Sequence, residues 1–565
     1  MLLRLTPALI VALLVSPILA GVAMALLPAF GYLPALGGEA LTLAPWRELL
    51  AQPGLARSVG VSFASGLVTT AVSLGVVLLF LADATGSRLD RWLRRLVSPL
   101  LSLPHAAAAF GLAFLIAPSG QVARLLSPGL TGWERPPDLL IVQDPWGLSL
   151  MAGLILKEIP FLLLMSLAAL PQLEAPRRVA MARSLGYRPT LAWLKVVAPA
   201  LYPLIRLPVY AVIAYASSVV DVAMILGPTL PPTLAVSILT WSHDPDLTQR
   251  FLAAAGAVLQ LGVTLAALAG WWGLECLVRR LGRRWVDGGQ RRRGDSLLRT
   301  TGKGALLAAT LIAFAGLGGL ALHSLAGFWR FPDALPATLT LTHWARALPA
   351  LGSPIATTLI IAVSATLLAL LLALAALENE QRTGRHPAEG RLASALTLLY
   401  LPLIVPQIAF LFGLVILLES LGLRARLALV IFGHLLFVLP YVFLSLSEAY
   451  RRFDPRWSQL ALTLGSSRNG AFWRVRLPML LAPVLTAAAV GLAVSIGQYL
   501  PTQLLGAGRI ATVTTEAVAL AAGANRRVIG VWALVQASLP LLGFVIAIGV
   551  PRLLWRHRRG LRGTP

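Results

Sequence analysis

Twelve apolar runs of about twenty residues alternate with short polar stretches along the chain. They cover residues 5–27, 59–82, 96–117, 147–170, 203–226, 251–274, 304–325, 355–377, 393–418, 427–447, 481–503 and 530–551. About twenty mostly apolar residues, wound as a helix, match the thickness of a bilayer's hydrocarbon core. The pattern therefore predicts an all-α, polytopic membrane protein with about twelve transmembrane helices. The run 203–226 is interrupted by Pro208 and Asp221. The first run has a second reading as a signal peptide, with Arg4 as its basic end and Ala23-Met24-Ala25 as a cleavage site. Its apolar stretch continues through Leu27, longer than an ordinary signal core, which favours an uncleaved anchor.

Composition agrees with the pattern. The 565 residues are 57% hydrophobic and 12% charged, whereas a soluble domain averages roughly 45–50% and about 25%. Mean hydropathy is +0.79. Disorder, collagen and small disulfide scaffolds are excluded. The net charge of +24 has a source other than nucleic-acid binding, because Lys and Arg accumulate in cytoplasmic loops of membrane proteins. No nucleic-acid-binding module is recognisable. Cys276 is the sole cysteine, so an intrachain disulfide cannot form.

Charge sets the expected orientation. With the N-terminus inside, the inner segments hold 33 Lys and Arg and the outer ones 12, while Lys157 and Arg206 lie within spans. Both termini are therefore expected in the cytoplasm. Arg424 and Arg426, in a short outer loop, are the weakest point of this assignment.

The chain also resembles itself. Ser184-Leu185-Gly186 and Val196-Val197-Ala198-Pro199 recur 279 positions later as Thr463-Leu464-Gly465 and Val475-Arg476-Leu477-Pro478. Leu226-Gly227 and Leu505-Gly506 keep the same offset, whereas Leu103-Pro104 and Leu401-Pro402 are 298 apart. One insertion in the outer loop 118–146 accounts for the difference. The expected organisation is two tandem six-helix units, 1–278 and 304–565, joined by a basic cytoplasmic linker, 279–303. An even number of spans gives both units the same orientation, related by an axis along the membrane normal. The linker's Arg279-Arg280, Arg283-Arg284 and Arg291-Arg292-Arg293 read as a tether rather than as a nucleic-acid site.

The repeated cytoplasmic segment predicts a short helix in each unit. Asp454 suits an N-cap before Pro455, and Gly465 suits the left-handed residue that ends the helix. Pro176 and Gly186 mark the same limits in the first copy. A second helix is expected to follow and to end near Pro199 or Pro478.

This segment resembles the permease signature of binding-protein-dependent ABC importers: Glu-Ala-Ala, three residues, Gly, nine residues, Ile-x-Leu-Pro. Gly186 and Gly465 take the glycine position, and Pro199 and Pro478 the proline. Ala182 and Ala461 take the last alanine. Ala180 and Gln459 stand where the family has an acid, and Met181 and Leu460 replace the first alanine. The resemblance extends over nearly the whole chain as a fused two-copy permease, most like the thiamine and ferric-iron branch. It implies type I importer permease units in a bacterial inner membrane. It further implies that both loops couple to two copies of a separate ABC ATPase subunit, and that a periplasmic binding protein delivers a small solute, such as thiamine. The missing acid counts against any particular ion pair to the ATPase, but not against the docking itself.

No enzyme motif competes with this reading. Gly302-Lys303-Gly304 lacks the spacing and hydroxyl of a P-loop, so ATP hydrolysis is expected from the partner. No metal or cofactor motif is found, and His105, His323, His343 and His434 are scattered packing candidates. Ionisable groups inside a membrane point to function or to buried pairing. Asp221 is a candidate either for the translocation path or for a structural pairing between spans, and Gln498 and Tyr499 are path candidates in the second copy. Lys157 and Glu158, about 100° apart on a helix, are read as structural. An ion-coupled secondary transporter would share the span count and the buried acids but leaves the paired loops unexplained. A membrane enzyme would need a catalytic cluster that the sequence lacks.

Overall fold

The computed structural model describes residues 2–83, 88–289, 296–383, 398–423, 426–523 and 525–556. In lipid every backbone N–H and C=O must be satisfied internally, so apolar runs of this length become helices. The first series is α1 Leu2–Ala29, α2 Leu55–Ala82, α3 Arg88–Ser102, α4 His105–Ile116, α5 Leu148–Ala169, α6 Ala175–Ser184, α7 Ala198–Ser218, α8 Asp221–Leu226, α9 Leu234–Ser242 and α10 Gln249–Asp287. The second is α11 Ser296–Leu325, α12 Thr342–Thr383, α13 Gln407–Ser420, α14 Leu427–Arg451, α15 Pro455–Thr463, α16 Leu481–Gly497, α17 Leu500–Leu505, α18 Val513–Ala519 and α19 Arg526–Leu554. Short helical turns lie between several of them. Extended pairing among the described residues is confined to isolated bridges such as Leu33 with Gly38.

Among the described residues ten helices are long and apolar enough to cross a membrane, or eleven with one bent pair counted as a span, against about twelve expected. The run 393–418 begins outside the described residues, breaks at Val405–Pro406, and continues as the 14-residue α13. The run 481–503 is the 17-residue α16, set at 73° to the helical stretch before it. Proline explains the break before α13 and a matching one at Leu103–Pro104, between α3 and α4. Pro104 and Pro406 both stand at an N-cap in extended conformation, where the absent N–H costs nothing. These two prolines are 302 positions apart, so the structural partner of Pro104 is Pro406 rather than Pro402. Pro208 lies inside α7 without breaking it, and the interruption comes at Val219–Val220, just before Asp221. Within 279–303, α10 continues through Arg279–Arg284 to Asp287 and α11 starts at Ser296. Arg291-Arg292-Arg293, Arg424 and the last nine residues fall outside the described residues.

The two series pack reciprocally. The first helix of each leans on the other series: α1 packs against α13, and α11 against α4. A glycine pair marks each crossing. A Cβ on Gly21 or Gly413 would collide with the facing backbone of the other helix, and one on Gly111 or Gly316 would lie 3.0 Å from the facing glycine's carbonyl carbon. Without water to drive association, membrane helices gain from such close approach of small residues. Elsewhere the pairs α2 with α7 and α5 are matched by α12 with α16 and α14. The core is continuous across both series, with Phe410, Phe437 and Leu154 fully buried in one cluster.

Candidate functional site

The helices α6 and α15 are brought to one end of the bundle, and they end in the same way. Gly186 has φ +88° and Gly465 φ +86°. The Gly186 N–H donates to Arg183 O and the Tyr187 N–H to Ala182 O, at 2.9 and 3.3 Å. The second copy repeats this with Gly465 to Leu462 O and Ser466 to Ala461 O, both 3.0 Å. Each pair of bonds is a Schellman motif, which satisfies the last carbonyls of the helix and needs a left-handed residue. Ala182 and Ala461 supply the key carbonyl and are buried, while Ala180, Gln459, Gly186 and Gly465 are exposed. Large apolar side chains face outward from both helices: Met181 and Leu185 on one, Trp457, Leu460 and Leu464 on the other.

The two copies differ at their starts. The Asp454 side chain accepts from the Arg456 N–H at 2.9 Å and caps α15, as its sequence predicts. The equivalent cap of α6 is Glu174, left-handed itself at φ +46° and without a side-chain cap bond. The second helices do not end at Pro199 and Pro478. Each passes through a π-turn, Trp193–Val197 or Phe472–Arg476. The first then runs directly into α7, where Pro199 is exposed. The second continues past the half-buried Pro478 to the bend before α16.

Different clasps hold the two loops. Behind α15, Glu378 at the end of α12 is 5% exposed and receives three donors. They are the Tyr450 hydroxyl, Arg476 Nη1 at 2.5 Å and Arg382 Nε at 2.7 Å. Arg476 Nη2 reaches Ser458 Oγ on α15 at 3.1 Å, so one guanidinium ties the loop helix to the bundle. Behind α6, Lys195 donates to Trp285 O near the end of α10 at 2.8 Å, between the rings of Tyr187 and Trp285. Deeper along α10, Glu275 accepts from the Tyr202 hydroxyl at 2.5 Å and pairs with Arg206 at 2.8 Å.

At mid-bundle, α7 and α16 break at equivalent points, and α8 and α17 start 279 positions apart at Asp221 and Leu500. Side chains from neighbouring helices satisfy the opened carbonyls, as apolar surroundings require. Gln260 donates to Ser217 O at 3.1 Å, Ser65 to Ala216 O at 2.7 Å and Thr514 to Ile496 O at 2.5 Å. His434, 2% exposed, bridges Ser495 and Thr502 across the second break at 2.8 Å each. Lys157 donates to the carbonyls of Leu100, Leu101 and Leu103, closing the open end of α3. Its hydrogen-bond partners are thus backbone carbonyls of the broken helix end.

Asp221 is 7% exposed in the first turn of α8. It lies within electrostatic reach of His105, Tyr215 and Tyr499. His105 in turn approaches Glu158 at 3.5 Å and packs against the Tyr215 ring, tilted at 54° with centroids 4.8 Å apart. Asp221 and Tyr499, from different series, thus act on each other electrostatically, and Asp221 and Glu158 both act on Tyr215. Gln498 is half-buried at the start of the second break. Sequence reasoning missed Glu378, Arg476, Lys195 and Glu275. Arg476 and Lys195 sit inside the repeated motif itself, and a basic residue there was the available signal.

Two tandem series of broken and reciprocally packed helices, with matched loop helices at one end, define a fused two-unit membrane permease. The family described as binding-protein-dependent transport system inner membrane component matches residues 391–550. The chain is 32% identical over 93% of both lengths to the inner membrane ABC transporter permease protein YnjC of Escherichia coli (strain K12). It is 30% identical to the molybdenum transport system permease protein ModB of Mycobacterium bovis, over 20% of this chain and 47% of that one. The chain belongs to the ABC importer inner-membrane permeases. It is a multi-pass transport component, of a family that works with an ATPase and a solute-binding protein.

Proposed function

We propose that this permease couples to ATP hydrolysis through α6 and α15 at once, each seated in one of two copies of a separate ABC ATPase subunit. The observation that carries this reading is the pair of Schellman-ended helices at one end of the bundle, apolar faces outward. Ala180, Ala182, Gly186 and Pro199 belong to the first coupling loop, and Gln459, Ala461, Gly465 and Pro478 to the second. That end is cytoplasmic, as are both termini, in keeping with the basic-residue asymmetry. Residues 1–278 and 304–565 act as the two permease units, joined through 279–303. On ATP-driven approach of the ATPase subunits the loops move together, and the units rock about the reciprocal α1–α13 and α11–α4 contacts.

Substrate arrives from a periplasmic binding protein and passes between the units, where Asp221, Gln498 and Tyr499 border the path. Two buried acids beside tyrosine rings suit a small cation, and a solute of the thiamine type fits that chemistry.

Leucine at Gly186 or Gly465 tests the coupling. A side chain at these φ values forces the helix end out of the left-handed region. In cells whose thiamine uptake depends on this chain, each variant should insert into the membrane at wild-type level and lose uptake about tenfold or more. Wild-type uptake by both variants at equal expression would contradict the assignment.

A further inference from the structure

At the end of the bundle opposite the loop helices, a cavity of about 480 Å³ opens between the two series. Arg124, on the short helix Gln121–Leu126, enters it from the first series; His323, Trp329, Arg526 and Arg527 enter from the second. Among the described residues no acidic side chain lines it. Arg124 and Arg526 both donate to Ser119 O, at 3.1 and 3.2 Å, which sets the two guanidinium groups side by side. Arg124 also donates to Arg330 O and Asp333 O and lies over the Trp329 ring. It is 8% exposed. A guanidinium has five N–H donors, so these backbone bonds leave donors over on both arginines. The Asp333 carboxylate acts on Arg124 from outside the lining.

His323 adds an independent sign of a missing partner. It is 5% exposed, lines the cavity between Phe114 and Trp329, and its Nδ1 has no hydrogen-bond partner. A buried polar atom without a partner costs free energy that a ligand would return. Adjacent cations in a partly desolvated pocket repel each other and favour a counter-ion.

We propose that this cavity is a binding site for a small oxyanion of the phosphate class. Guanidinium groups match such oxyanions with paired N–H donors. The His323 ring closes one side of the cavity, and Trp329 forms the wall under Arg124. Because Arg124 comes from one series and His323, Arg526 and Arg527 from the other, the bound anion holds the two units together at this end. The site is independent of how the loops couple to an ATPase. The anion's source is either free solute or the phosphate of an anionic lipid headgroup.

The test uses the full chain in lipid nanodiscs. Its thermal unfolding is followed against inorganic phosphate, with chloride holding ionic strength constant. In phosphatidylcholine discs phosphate should raise the unfolding temperature saturably. The double variant Arg526→Gln/Arg527→Gln should unfold at a higher temperature than wild type without phosphate, because repulsion is relieved, and should lose the phosphate response. The single variant Arg527→Gln guards against misfolding of the double one and should weaken phosphate binding about tenfold, as loss of one charge-assisted hydrogen bond predicts. Discs containing phosphatidylglycerol separate the sources. A wild type already raised and no longer responsive to phosphate identifies a lipid headgroup; a persisting response identifies a free anion. If neither phosphate nor phosphatidylglycerol raises the wild-type unfolding temperature, or if the variants keep the full response, the proposal is wrong.

Discussion

The loop helices α6 and α15 end alike and are fastened differently. Both stop in a Schellman motif on a glycine near φ +87°, with a buried alanine carbonyl three residues from the helix end. Behind α15 stands a buried carboxylate, Glu378, with three donors, one of which also holds Ser458. Behind α6 the position of Arg476 is taken by the fully buried Val197, and the fastening comes from Lys195 on a backbone carbonyl of α10. The shared part is the surface presented outward. The divergent part joins each loop to whichever helix end lies behind it: α12 in one unit and the extended α10 in the other. The repeat thus keeps the helix end and its outward apolar face and varies what meets its own bundle.

The largest expected difference lies in the clasps. Arg476→Met takes one of two guanidinium partners from the buried Glu378 and unties Ser458, and breaking a buried pair costs up to roughly 3–5 kcal/mol. Lys195→Met removes a bond to a neutral carbonyl and two ring contacts, at roughly 1–3 kcal/mol. Unfolding temperatures of the purified variants should rank wild type above Lys195→Met above Arg476→Met. Equal losses would mean that the clasps are equivalent after all.

The helix starts give a smaller contrast. Asp454→Ala removes a side-chain cap and should cost about 1 kcal/mol. Glu174→Ala removes only an exposed pair with Arg177 and should leave unfolding unchanged within about 0.5 kcal/mol. A loss at Glu174 as large as at Asp454 would show that its left-handed backbone depends on the side chain.

The smallest effect concerns acid sensitivity in the long connection before α5. Burial would raise the pKa of Asp144, but bonds from the Ser149 N–H, the Leu148 N–H, the Ser149 hydroxyl and the Trp146 N–H outweigh it and hold the carboxyl below its ordinary value. The corresponding position in the second unit is Leu423. A carboxyl with a lowered folded pKa contributes stability that is complete above the unfolded value, about 3.9. That contribution disappears as pH falls through the folded one. Below about pH 4 the wild type should therefore lose stability more steeply than Asp144→Asn. Parallel pH profiles of the two proteins would remove Asp144 from the account.

Helix content and the repeat were legible because both are written in local pattern. Apolar length predicts helices, and Gly186 and Gly465 predict left-handed ends whatever surrounds them. The breaks were legible in part. Pro104 marks one, but Pro208 breaks nothing, because its helix is packed within protein where one lost backbone bond is tolerated. The interruption at Val219–Val220 carries no proline or glycine at all; it depends on Gln260 and Ser65, which are distant in sequence. The clasps escaped for the same reason. Glu378 and Arg476 are 98 residues apart, and no pattern along the chain announces that they meet. Lys157 showed the reverse: its position in a span marked it, but only the folded chain brings the carbonyls of α3 to it.

The central claim is that both loop helices meet the same kind of partner, and cross-linking tests it most directly. With Cys276 replaced by serine, single cysteines are placed at Met181 on α6 and at Leu460 on α15, both exposed. A short bis-maleimide is applied to membranes from cells making the full importer, and the adducts are identified by peptide mass. The account predicts that both positions join to the same ATP-binding subunit, in comparable yield, and that leucine at Gly186 or Gly465 reduces the adduct in its own loop. Adducts from only one position, or none containing an ATP-binding subunit, would contradict it.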